Sequence, residues 1–262
     1  MNQHSIANFK CTGTGPCLVL LHGFCEDSGI WDDFVPELSR KYSVIVPDLP
    51  GFGESAALES TTIEDMADAV CKVLQKIGAS RFVAVGHSMG GYVALALAEK
   101  HPDATSGLML FHSTAMADCE KKRLDRQAAI DSIEQYGTRP FLTGFFRNLF
   151  TEEYALRSPK TVEKLKQRVE SLPSKGLTNA ISAMMHRTDK TALLSQLNCP
   201  IGFIAGDKDS FVPLEKTLVE CYLPKMSEIH VLPNVGHAGM FERSVETMEM
   251  VDDFTRFCYE VA

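Results

Sequence analysis

Val83-Ala84-Val85-Gly86-His87-Ser88-Met89-Gly90-Gly91-Tyr92-Val93-Ala94-Leu95-Ala96-Leu97-Ala98 is the stretch whose reading decides the fold. Arg81 to Val85 is a short apolar, β-branched run, whereas Met89 to Lys100 is rich in alanine and leucine. The first predicts a buried strand and the second a helix, and Ser88 stands where the period changes. In Gly86-x-Ser88-x-Gly90 a strand turning directly into a helix brings two backbones close together, and a Cβ at either flank would collide with the other segment. The turn residue is forced into a backbone conformation that costs roughly 1–3 kcal/mol and points its hydroxyl away from the sheet. A bare G-x-S-x-G also arises by chance in glycine-containing turns; the strand-turn-helix context gives it weight.

Working outward, the same alternation repeats. Ile6 to Lys10 is an expected edge strand, Cys17 to Leu21 an interior strand that runs into His22-Gly23-Phe24, and Tyr42 to Val46 the next buried strand. Trp31, Phe34, Val35 and Leu38 have the spacing of one helical face, which predicts a helix over 31–40. Thr61-Thr62-Ile63-Glu64 reads as a capping box on Thr61 and Glu64. The helix it opens carries Ile63, Met66, Ala67, Val70, Val73, Leu74 and Ile77 on one face and stops at Gly78. Leu108 to Phe111 is a further buried strand. Strands alternating with helices imply a mostly parallel sheet with right-handed crossovers, an α/β fold.

From Ser113 to about Gln196 the alternation stops and only helices are expected, over 123–136, 140–150, 162–169 and 177–185. This divides the chain into a core of residues 1–112 and 197–262 and an inserted helical cap of residues 113–196. Phe141, Leu142, Phe145, Phe146, Leu149 and Phe150 make a broad apolar stripe, suited either to covering the core or to lining a cavity. The sheet pattern resumes at Pro200 to Ala205, followed by Gly206-Asp207-Lys208-Asp209, a helix over 214–221, a strand over 228–232, the loop around Gly236-His237, and a last helix over 244–259.

The net charge of −8 argues against a nucleic-acid partner. The charge is uneven: residues 113–195 hold 14 Lys and Arg against 10 Asp and Glu, and the rest of the chain 12 against 24. Solvated helices are the ordinary explanation; a face that attracts an anionic substrate is the other. No apolar run approaches the ~20 residues of a membrane span, and the first residues lack the basic and apolar regions of a secretory signal, so a cytoplasmic location is expected. The eight cysteines show no CxxC spacing and read as reduced thiols. Cys25, near the His22-Gly23 loop, is either a reactive thiol or, more ordinarily, a small core filler. No spacing matches a metal site and no G-x-G-x-x-G opens a helix, so no cofactor is expected.

A serine hydroxyl needs a base, and the base an orienting acid. His237 and an Asp, either Asp207 or Asp209, each follow an expected strand end, the edge of an open parallel sheet where sites assemble. Leu20-Leu21-His22-Gly23-Phe24, Asp48-Leu49-Pro50-Gly51-Phe52-Gly53-Glu54-Ser55, Gly86-His87-Ser88-Met89-Gly90-Gly91, Gly206-Asp207-Lys208-Asp209 with Val212-Pro213, and Gly236-His237 together resemble the α/β-hydrolase fold superfamily, in its capped group of esterases, lactonases and carbon–carbon bond hydrolases. The resemblance covers most of the chain outside the cap. It implies Ser88 as nucleophile, His237 as base, Asp209 rather than Asp207 as the orienting acid, and the amides of Phe24 and Met89 as oxyanion donors. Among the other candidates, His22 is expected to shape the oxyanion loop rather than act as a base, His87 to pack behind the elbow and Asp48 to hydrogen-bond backbone; His101, His112 and His186 show no partner in the sequence and are expected at surface or cap positions.

The implied activity is hydrolysis of a small carboxylic ester through an acyl-enzyme, with no cofactor, by a monomer or homodimer. Lactonase, thioesterase and carbon–carbon hydrolase chemistry share the triad, and hydrolase-like ligand receptors keep the same residues. A serine at the elbow disfavours the dehalogenase and epoxide-hydrolase relatives, which use Asp there. Tyr92 stands where a related menaquinone-pathway synthase carries Arg.

Overall fold

Four strands of the sheet bury every residue they contain: β2 (Cys17–Leu21), β4 (Phe82–His87), β5 (Thr105–Phe111) and β6 (Ile201–Gly206). Such continuous apolar runs form only where helices cover both faces of a parallel sheet. The computed structural model describes residues 6–170 and 172–261. With β1 (Phe9–Thr12), β3 (Ser43–Pro47) and β7 (Ser227–Leu232) the sheet has seven strands in the order β1-β3-β2-β4-β5-β6-β7. All neighbours are parallel except β1, which runs antiparallel along β3. The edge strands β1 and β7 are partly solvated, and β7 alternates between exposed and half-buried residues up to the buried Leu232.

The chain leaves β2 for β3 on one side and returns to β4 on the other, so the strand order reverses between β2 and β4. Leu21 lies opposite Gly86 there. A crevice opens outside the carboxyl ends of strands at such a switch point; His22-Gly23-Phe24 and Ser88 both start from it. The Met89–Lys100 helix behind Ser88 is buried from Met89 to Ala98, which accounts for its small and apolar composition.

Among the described residues six helices lie between β5 and β6: Glu120–Tyr136, Thr138–Leu149, Glu152–Arg157, Pro159–Glu170, Ser174–His186 and Thr191–Gln196. Glu152–Arg157 and Thr191–Gln196 are too short to register as periodic patterns. The apolar stripe does both jobs open to it. Leu142, Phe146 and Leu149 are buried, while Phe141 and Phe145 reach the rings of Phe24 and Phe211.

Two local expectations shift. The capping box sits on Thr62 and Asp65, not Thr61 and Glu64: Thr62 Oγ1 accepts from Asp65 N at 3.0 Å, and the Asp65 carboxylate accepts from Thr62 N at 2.9 Å. Thr62 is the residue with extended backbone, and the helix starts at Ile63. The helix expected over 31–40 divides into a 3-10 turn, Ser28–Trp31, and a single α turn, Val35–Leu38. Pro36 explains the break, since a proline inside a longer helix lacks the amide and clashes with the preceding turn. The first strand is Phe9–Thr12, a few residues later than 6–10.

Candidate active site

Ser88 has φ 51° and ψ −114°, a left-handed conformation for a residue with a side chain. A Cβ on Gly90 would lie 2.5 Å from the Leu21 carbonyl oxygen, and one on Gly86 would run into the Gly90 backbone. The elbow is tied on three sides. Ser88 N donates to Phe111 O at 3.0 Å, and Ser88 O accepts from Gly91 N at 2.9 Å and Ser113 Oγ at 2.7 Å. Ser88 itself is half-buried.

Asp209 follows β6 and is 7% exposed, whereas Asp207 is exposed and accepts from Asn234 N at 2.7 Å. It is Asp209 that meets His237, Oδ2 to Nδ1 at 2.8 Å. Its other oxygen accepts from Phe211 N at 2.8 Å and Val212 N at 2.9 Å. Burial pushes the Asp209 carboxyl up, but the charge of His237 and the hydrogen bonds from His112 and His237 prevail and hold it well below the carboxylate range. His237 sits in the loop after β7, its amide donating to Leu149 O at 3.0 Å. His237 and Ser88 line one cavity of about 170 Å³, together with Phe24. Met89 N is the first amide of its helix, which leaves it without an intrahelical acceptor. Among the described residues neither it nor Phe24 N donates to a protein group.

Three histidines differ from their sequence assignments. His112, expected at a surface or cap position without a partner, is 1% exposed and shares Asp209 Oδ2 with His237 through a 3.1 Å contact from Nδ1. Burial pushes it down to about 4, so it is neutral and donates from Nδ1. Its position just after β5 was the available signal, because Asp209 and His237 also follow strand ends. His87 does more than pack. Its Nδ1 meets Glu26 Oε2 at 2.8 Å and its Nε2 meets His237 O at 2.8 Å. Both partners are acceptors, so both nitrogens carry hydrogen and the ring is an imidazolium. Glu26 Oε2 also accepts from Gly23 N at 2.6 Å, which joins the His22-Gly23 loop, the elbow and the His237 loop through one buried ion pair. No sequence pattern marks Glu26. His101 is half-buried, with Nε2 3.1 Å from Cys71 Sγ; His186 is exposed.

His22 Nδ1 donates to Gly23 O at 2.8 Å and Nε2 accepts from Leu49 N at 2.9 Å, a neutral tautomer that braces the oxyanion loop. Asp48 accepts from Ser28 N at 2.8 Å and Glu54 N at 3.0 Å, the backbone role expected of it. Cys25 is 1% exposed and burial raises its thiol well above the usual range, which makes it a core filler. All eight cysteines are free thiols.

Among the described residues one group of metal-ligating side chains converges, His112, Asp209 and His237, with ligand atoms within 4.8 Å of one another. Both Nδ1 atoms already point at the same carboxylate oxygen at hydrogen-bond distance. No helix among the described residues is long and apolar enough to cross a membrane.

Residues 16–244 match the family model described as alpha/beta hydrolase fold. The chain is similar to a thermophilic esterase from Thermogutta terrifontis solved with malate bound, at 32% identity and a TM-score of 0.91, covering 96% of this chain and 93% of that one. It is 28% identical over 248 residues to a pimeloyl-(acyl-carrier protein) methyl ester esterase from Pseudoalteromonas atlantica, covering 90% of this chain and 93% of the relative. It is also 28% identical over 254 residues to a 2-succinyl-6-hydroxy-2,4-cyclohexadiene-1-carboxylate synthase from Escherichia coli, covering 92% and 94%.

Proposed function

Since the chain belongs to the α/β-hydrolase fold family, we propose that it is a serine esterase acting on small carboxylic esters through an acyl-Ser88 intermediate. The observation that carries this reading is the 2.8 Å contact between Asp209 and His237, on a histidine that faces the same cavity as the strained Ser88. The names borne by its esterase relatives support it.

Ser88 Oγ attacks the ester carbonyl carbon while His237 Nε2 takes its proton. The tetrahedral oxyanion lies against the amides of Phe24 and Met89; one such donor is worth about 2.7–4 kcal/mol in the transition state. His237 returns the proton to the leaving alkoxide, and the carbon–oxygen bond breaks to leave an ester on Ser88. Water then attacks that ester by the same sequence in reverse roles, releasing the acid and restoring the Ser88 hydroxyl. Asp209 fixes the His237 ring with hydrogen on Nδ1 and stabilises the imidazolium that forms, and it stays ionised throughout. The cap of residues 113–196 closes the cavity from above and selects among esters.

A panel of chromogenic esters of increasing acyl length, run on wild type and Ser88→Ala, tests the proposal. Multiple turnovers by wild type and none above background by Ser88→Ala are expected. Equal hydrolysis by both proteins, or binding without turnover by wild type, as in a ligand receptor, overturns it.

A further inference from the structure

The cavity in front of Ser88 has two unlike parts. Near Ser88 and His237 it is aromatic, with Phe24, Phe141, Phe145 and Phe211 on its walls. The same cavity is also lined by four cations, Lys122, Arg126, Arg187 and Lys216, against two carboxylates, Asp118 and Asp125.

The four cations are not equally satisfied. Asp118, buried, serves both arginines: its Oδ1 meets Arg187 Nη1 at 2.8 Å and its Oδ2 meets Arg126 Nε. Arg187 also donates to the carbonyls of Met184 at 2.7 Å and Met116 at 2.8 Å and lies 4.0 Å above the Tyr92 ring. Its Nε is buried and has no acceptor among the described residues. Tyr92 is four residues along the helix from Ser88, a rise of about 6 Å.

Lys122, on the Glu120–Tyr136 helix, and Lys216, on the Leu214–Glu220 helix, approach the cavity from the insertion and from the core. Both are half-buried, and among the described residues neither ammonium makes a hydrogen bond or an ion pair. Burial, then the charge of Arg126, holds the Lys122 ammonium below the usual lysine range; Asp118 and Asp125 oppose the shift without cancelling it, and Lys216 adds to it. A partly desolvated ammonium facing like charges is unfavourable until an anion joins it. A surface lysine with no such role extends its head into water; these two stand in a cavity wall.

We propose that the substrate carries a carboxylate besides its scissile ester, and that Lys122 and Lys216 bind that carboxylate while the ester carbonyl lies at Ser88. The aromatic part of the cavity takes the short apolar spacer between the two groups. The inference rests on the esterase reading, which supplies the position of the scissile bond.

The test compares charged esters with neutral ones of matching length on the full chain. Monomethyl adipate carries the charge on the acyl side and is set beside methyl hexanoate; 4-acetoxybutyrate carries it on the alcohol side and is set beside butyl acetate. In one of these pairs wild type is expected to favour the charged ester in kcat/KM by about ten-fold, the effect of one charge-assisted hydrogen bond, and added salt should erode the preference. Lys122→Gln with Lys216→Gln should remove that preference through KM while the neutral ester changes less than about two-fold, as expected of residues outside the bond-making machinery. Adipate should inhibit hydrolysis of a neutral chromogenic ester in wild type and not in the double variant. No preference in either pair, or equal losses on charged and neutral esters, overturns the subsite. Failure of the esterase reading looks different: no ester is turned over, and adipate stabilisation of the fold, present in wild type and absent from the double variant, still reports the subsite by itself.

Discussion

At the carboxyl edge of the sheet, Asp209 accepts four hydrogen bonds, and Glu26 joins Gly23 to His87 through a single oxygen. Across the cavity, the Glu120–Tyr136 helix buries one residue, Ile133, and leaves Lys122 without a partner among the described residues. The first region is a set of mutually dependent bonds, in which removing one group strands several others. The second presents charge and ring surface to the cavity, with Lys122 and Lys216 held by no specific contact of their ammonium groups among the described residues. On the proposed reading, bond making belongs to the sheet edge and the insertion contributes to the choice of substrate, and substitutions in the two regions should fail in different ways.

The largest difference is expected at the orienting acid. Asp209→Asn should lower kcat on esters by about 10⁴-fold, because an amide in that place favours the wrong His237 tautomer. Asp207→Asn, two residues away and exposed, should stay within about two-fold. Steady-state kinetics on one chromogenic ester checks both, and equal losses would erase the distinction between the two carboxylates.

Next comes the buried pair behind the elbow. Burial opposes both charges, yet mutual attraction raises His87 above its ordinary 6.5 and lowers Glu26 below its ordinary 4.5. The Glu26 contribution to stability is complete above about pH 4.5 and is lost as pH falls through its depressed folded value. The His87 contribution is complete below about pH 6.5 and is lost as pH rises through its elevated folded value. Glu26→Gln should therefore cost roughly 3–5 kcal/mol between these limits, and the gap to wild type should narrow on either side. Urea unfolding of both proteins across pH gives the comparison; a gap independent of pH would contradict an ion pair.

In the insertion, effects should move from stability to selectivity. Phe145 meets the rings of Phe24, Phe141 and Phe211 at centroid distances of 5.5, 6.2 and 5.2 Å. Phe145→Ala should alter kcat/KM by about ten-fold between short and long acyl chains, the scale of one or two methylene contacts in a pocket, while the fold persists. Smallest of all, Leu124→Ala, at a residue 65% exposed on the Glu120–Tyr136 helix, should change unfolding free energy by less than about 0.5 kcal/mol. A larger loss there, measured by denaturation, would mean that this helix face is covered.

The same contrast governs what could be read from sequence. β2, β4, β5 and β6 announce themselves because a strand covered on both faces must be apolar throughout, and Gly86-x-Ser88-x-Gly90 is legible because only glycine fits against the neighbouring backbone. Asp209 and His237 follow strand ends, a rule that also applied to His112. Glu26 was invisible: its partner His87 lies 61 residues away, and nothing local requires a carboxylate there. The one-residue shift from Thr61 to Thr62 shows the limit of capping patterns where two candidate hydroxyls adjoin. In the insertion, the aromatic stripe was plain but its division between core and cavity depends on how the helix is rotated, which composition does not specify. The positive balance of residues 113–195 was legible as a count; that Lys122 and Arg126 face the cavity with Lys216 of the core was not.

The central claim is that Ser88 is the nucleophile, activated by His237 and Asp209. Its most direct test is labelling with a fluorophosphonate, followed by intact-mass measurement and peptide mapping. A single phosphonyl adduct on Ser88 is expected, absent in Ser88→Ala and formed far more slowly in Asp209→Asn. An adduct on another residue, or folded protein that hydrolyses esters and takes no label, would contradict it.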